Sequence, residues 1–127
     1  MQYNNPIIKG FYPDPSICKF KGRFYLVTSS FEYFPGIPIF ESLDLVNWKQ
    51  IGHCLSRKTQ LELTNSLPSH GIFAPTIRTD GHYLYVIVTN RTIKKNFIVK
   101  TSDPSNQMWS DPLYIYGWDG IDPSLFF

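Results

Sequence analysis

Two aspartates in this chain stand in the same tripeptide, Asp14-Pro15-Ser16 near the start and Asp122-Pro123-Ser124 near the end. A third copy, Ala74-Pro75-Thr76, keeps the proline and the hydroxyl but has a methyl in place of the acid. Paired carboxylates are tools of general acid–base catalysis. Two of them near one place perturb each other's pKa values, which allows unlike roles. Pro13 and Pro15 frame Asp14, stiffening the backbone and fixing the direction of the carboxylate. A turn aspartate bonded to its own backbone is the plainer reading of one such copy. Recurrence at Asp122, at an equivalent place in a repeat, favours chemistry. Ala74 shows that the repeat itself does not require the acid.

Phe31, Tyr33 and Phe34 precede Pro35-Gly36 in a loop dense in aromatics, which makes either a hydrophobic plug or a substrate wall. Phe73, next to Ala74, has the same two readings. His53, His70 and His82 are isolated and share no metal-ligand spacing, so surface or satisfied histidines are expected and no metal site is. Cys18 lies in an apolar run and reads as a buried thiol; a disulfide to Cys54 has no support in the spacing.

These residues need elements to position them. Arg23–Ser29, His82–Thr89, Phe97–Thr101 and Leu113–Tyr116 are aromatic or β-branched runs punctuated by Gly, Pro, Asn and Asp, the pattern of short strands. Helical periodicity is poor; the best candidate, Lys58 to Leu67, is short and stops at Pro68. The chain is expected to be all-β. Its segments also align at a spacing of about sixty residues: Asp14 with Ala74, Gly22 with Gly81, Trp48 with Trp109. A repeat of that length built from short antiparallel strands predicts a β-propeller, with Asp/Ala-Pro-Ser/Thr opening the innermost strand of each blade. A β-sandwich with similar hairpins is the alternative. Two units run from Asp14 to about Gly117, and a third opens at Asp122 with Leu125-Phe126-Phe127 as its first strand. A propeller needs at least about four blades, so residues 1–127 are expected to be the N-terminal portion of a larger domain.

Composition sets outer limits. The chain has 127 residues, 43% hydrophobic and 17% charged, which is a globular balance. Aromatics reach 17%, enough for a β-rich core, a carbohydrate platform, or both. The net charge of +2 is spread along the chain, which argues against a nucleic-acid partner. No stretch has transmembrane length, and the first residues show no basic segment followed by an apolar one, so no membrane partner and a cytoplasmic location are expected.

The combination of Gly10-Phe11, Pro13-Asp14-Pro15-Ser16, Thr28–Gly36, Ser42–Trp48, Gly71-Ile72-Phe73-Ala74-Pro75 and Asp122–Phe126 resembles glycoside hydrolase family 43, most closely its β-xylosidase branch. The resemblance covers nearly the whole chain. It implies a five-bladed β-propeller, of which about two blades and the first strand of a third lie here. It implies an inverting exo-β-1,4-xylosidase, or an α-L-arabinofuranosidase of the same family, acting on xylo- or arabino-oligosaccharides. By the same resemblance Asp14 is the general base, Asp122 orients the acid and tunes its pKa, Phe31 and Phe73 line the sugar site, and Ala74 leaves it room. The acid is a glutamate of a later blade; Glu32, Glu41 and Glu62 do not sit in its motif. No cofactor is implied for the reaction, and a structural calcium in the longer protein stays open. Tyr12 and Phe73 depart from the family pattern, which often has Asn and Trp there. A sugar-binding propeller without catalysis and an interaction scaffold are the readings from other classes.

Overall fold

A computed structural model describes residues 2–127; Met1 lies outside the described residues. The described residues form eight strands and one short 3-10 turn. The first sheet contains β1 (Ser16–Phe20), β2 (Arg23–Val27), β3 (Gly36–Ser42) and β4 (Lys49–Leu55) in sequential order. The second contains β5 (Thr76–Thr79), β6 (Leu84–Asn90), β7 (Lys95–Thr101) and β8 (Leu113–Ile115), also in sequential order. All pairings are antiparallel, and the 3-10 turn, Pro104–Asn106, joins β7 to β8. The architecture is therefore all-β, with two successive four-stranded meanders at the expected repeat, and not one sandwich of mixed strands.

The two sheets share one core. Val27, Ile37, Ile39 and Leu55 of the first and Ile77, Leu84, Val86, Val88 and Phe97 of the second are buried in a single cluster. This is the expected outcome for meanders that cannot bury both faces alone. β1 and β5 lie side by side, and the Ser16 hydroxyl accepts the Ile77 amide at 3.1 Å. The hydroxyl of the recurring tripeptide thus ties the first strand of one sheet to the first strand of the next.

Two expectations change, at the opening of the third unit and at Cys18, and two places gain detail. Lys58–Leu67 holds no helix, in line with the all-β reading: residues 58–60 and 64–65 are turns. Gln60, fully buried, ties this turn to the second sheet: its Oε1 accepts the Ser56 and Arg57 amides and its Nε2 donates to the Trp109 and Ser110 carbonyls. Residues 123–127 form no strand and pair with none of the eight strands. Phe127 lies instead against Tyr85, with ring centroids 5.0 Å apart. Cys18 is only half-buried, on an alternating strand with one face outward, and Cys54 is the fully buried thiol; both are free. Finally, Trp48 and Trp109 share the repeat but not its environment. The Trp48 indole donates to the Leu45 carbonyl, whereas Trp109 is buried with its Nε1 unpartnered.

Candidate active site

Asp14 adopts φ +56° and Asp122 φ +55°. A residue before proline is normally pushed to extended backbone, and the left-handed region costs a non-glycine residue roughly 1–3 kcal/mol. Asp tolerates it better than most residues because its short polar chain can bond locally. Ala74, at the third copy, is not in that region. The two aspartate copies therefore share a backbone state that the alanine copy lacks.

The Asp14 carboxylate is held by one donor. Ser29 Oγ donates to Asp14 Oδ2 at 2.6 Å, and the Ser29 amide donates to the Pro13 carbonyl at 3.1 Å. Ser29 is buried just beyond the end of β2, while Asp14 is exposed. A buried hydroxyl thus aims an open carboxylate. Ser29 was not among the sequence candidates; its only signal was the polar run Thr28-Ser29-Ser30 directly after an apolar strand. Ser30, next in line, accepts the Ile37 amide through its hydroxyl and so shapes the start of β3.

Three aromatics, one of them two residues beyond Ser29, gather into a cluster. Phe31 stands 6.0 Å from Phe11 and 6.1 Å from Phe73, centroid to centroid. Phe31 is half-buried, and Tyr33 and Phe34 are exposed, so the loop does not plug the core. The segment that carries Phe73 and Ala74 is sewn in from both sides. Phe31 and Ile72 exchange amide–carbonyl bonds at 2.9 and 3.0 Å, the Phe73 amide donates to the Thr89 carbonyl, and the Arg91 amide donates to the Gly71 carbonyl. Gly71 is required here, because its φ is +82° and a side chain would run into the Phe31 carbonyl.

An open cleft of about 200 Å³ adjoins Ser29 and includes Phe11, Tyr12, Tyr33, Gln50 and His53. Tyr12 packs edge-on against Phe40 at 5.0 Å. His53 is half-buried, and burial pushes its imidazole below its ordinary pKa. It is thus a cleft residue, not an isolated surface histidine. Asp122 is exposed and makes no side-chain hydrogen bond or ion pair among the described residues. The segment before it is pinned by Asn96, whose Nδ2 donates to the Trp118 and Gly120 carbonyls at 3.2 and 3.1 Å. Among the described residues no cluster of His, Cys, Asp or Glu could hold a metal ion.

An aimed carboxylate and an aromatic cluster on sequential β-meanders suit work on sugars, and comparison with known proteins makes the class definite: a glycoside hydrolase. The chain belongs to glycosyl hydrolases family 43, whose family model matches residues 3–127. It is 55% identical to a xylosidase/arabinosidase of Butyrivibrio fibrisolvens over 98% of its length and 24% of the relative's. It is 46% identical to a non-reducing end alpha-L-arabinofuranosidase of Bacteroides ovatus, again over 98% of this chain and 24% of the relative. A crystal structure of a family 43 protein from a capybara gut metagenome superposes with a TM-score of 0.90 at 49% identity, covering 98% of this chain and 24% of that one. The chain therefore spans about a quarter of the length of the curated relatives it matches.

Proposed function

We propose that the whole protein is an inverting exo-β-1,4-xylosidase that releases xylose from xylo-oligosaccharides. Residues 1–127 would supply two blades and the opening of a third in a five-bladed ring. Asp14 is the general base that takes a proton from the attacking water. Asp122 is the carboxylate that orients the acid and tunes its pKa. Phe31 and Phe73 line the sugar, and Ala74 leaves it space. The proton donor is a glutamate of a later blade. An inverting pair stands about 6.5–9.5 Å apart so that a water fits between sugar and base. The observation that carries this reading is Asp14 itself: proline-framed, in a strained backbone state, and aimed by the buried Ser29 hydroxyl.

A second reading, an α-L-arabinofuranosidase, has its own support in the Bacteroides ovatus relative of that name. Both sugars are pentoses, and the chemistry at Asp14 is the same. Turnover of nitrophenyl β-D-xyloside and nitrophenyl α-L-arabinofuranoside by the full-length protein separates them by kcat/KM. Asp14→Ala in that protein is expected to abolish hydrolysis while xylo-oligosaccharide binding persists. Near-normal turnover by this variant sinks the base assignment, and an intact chain that binds sugar but cleaves neither substrate makes the protein a sugar binder. Residues 1–127 alone are expected to be inactive.

A further inference from the structure

Next to the aromatic wall lies a second cavity that the proposed reaction does not use. It encloses about 350 Å³ between the β6–β7 turn and the 118–121 segment, with Thr89, Arg91, Lys94, Trp118 and Asp119 in its lining. Arg91 and Lys94 also line a neighbouring hollow of about 220 Å³ that contains His70 and Thr92. The two cations thus form a ridge with a recess on each side. Both are exposed. Neither makes a salt bridge among the described residues, where the two found are Arg23–Glu41 and Arg57–Asp111.

The walls are built in advance. Asn96 is buried, accepts from Thr89 Oγ1 at 2.6 Å, and donates to the Trp118 and Gly120 carbonyls. One buried amide therefore fixes the far wall against the strand that forms the near one. Trp118 is 53% exposed and presents an indole to the recess. The recess is linked to the proposed sugar site at both ends of its lining: the Thr89 carbonyl takes the Phe73 amide at 3.1 Å, and Ile121 directly precedes Asp122.

An exposed indole suits the C–H face of a sugar ring. A guanidinium and an ammonium side by side suit a carboxylate, and guanidinium takes one in bidentate fashion. Asp119 can accept from ring hydroxyls. From this we infer that the Arg91–Lys94–Trp118 recess is a binding site for an acidic sugar, a uronic acid carried as a branch on the pentose oligosaccharide whose backbone lies along Phe31 and Phe73. The inference rests on the glycosidase reading for the backbone, and on the recess alone for the acid.

The test uses the full-length protein with Asp14→Ala, so that ligands survive, and titration calorimetry at low salt. The ligands are a neutral xylo-oligosaccharide and one of equal length bearing a single glucuronic acid branch. The acidic ligand is expected to bind roughly fivefold to tenfold more tightly, as two solvent-facing cations on one carboxylate allow. That preference is expected to vanish in the Arg91→Gln/Lys94→Gln double variant. It is also expected to shrink in the unaltered recess as salt is raised, a measurement that needs no folded double variant. Equal affinities at low salt, or a preference that survives the double variant, overturn the inference. Nitrophenyl glycosides carry no carboxylate, so they keep the two readings apart. A full-length protein that turns them over but shows no acid preference loses only the recess, and one that keeps the preference but turns over neither loses only the glycosidase.

Discussion

The hydroxyl of Ser29 donates to Asp14 Oδ2 at 2.6 Å, and the amide of the same residue holds the Pro13 carbonyl, so one buried serine fixes both the carboxylate and the backbone that presents it. A hydrogen bond to a charged group contributes about 1.5–3 kcal/mol. Ser29→Ala in the full-length protein keeps the amide bond and removes only the aiming bond. It is expected to lower kcat about tenfold with KM near that of the parent. A change confined to KM would place Ser29 in sugar binding instead.

Gly71 tests the aromatic wall. Gly71→Ala puts a methyl into the Phe31 carbonyl at a backbone φ of +82°. The variant is expected to lose at least about 2 kcal/mol of stability and most of its turnover, because Phe31 and Phe73 must separate. Chemical denaturation and kcat/KM measure both. An unchanged midpoint would mean that the strap is looser than its hydrogen bonds indicate.

His53 makes stability depend on pH. Burial lowers its folded-state pKa beneath the ordinary 6.5. The unfolded chain therefore takes up a proton on His53 at a higher pH than the folded one. The stability is present above about pH 6.5 and is lost as pH falls through the lower, folded-state value. Thermal midpoints of the parent and His53→Gln are expected to converge as pH falls from 7 to 5. Parallel curves would contradict this.

Thr28 Oγ1 is buried without a hydrogen-bond partner among the described residues. An unpaired buried hydroxyl costs about 1–3 kcal/mol, and valine has the same shape without it. Thr28→Val is expected to raise stability by about 1 kcal/mol in the full-length protein. A clear loss on denaturation would show that the hydroxyl has a partner there.

The sequence was most informative where chemistry is local. The hairpin β1–β2 and the strand β6 follow from aromatic and β-branched runs, and Asp14 follows from its two prolines. β3 and β4 were harder to see. β3 contains Pro38, one residue beyond the last β2 pair at Ile39, so its missing N–H costs no rung on that side. β4 carries a bulge that leaves Ile51 unpaired, since Ile39 faces Gly52 and Phe40 faces Gln50, and the alternation of period two is broken there. The role of Gln60 was not legible at all, because two of its four bonds reach residues about fifty positions away. Ser29 was missed for the same reason: its partner lies fifteen residues back, across a hairpin.

Ile72 bridges Phe31 on one side and Asn90 on the other, so a single residue rivets the first sheet to the second. The spacing between Phe31 and Phe73 is therefore decided when the chain folds, before any sugar arrives. The amides of Phe31, Ile72 and Phe73 should accordingly be among the last in this region to exchange their hydrogens with solvent.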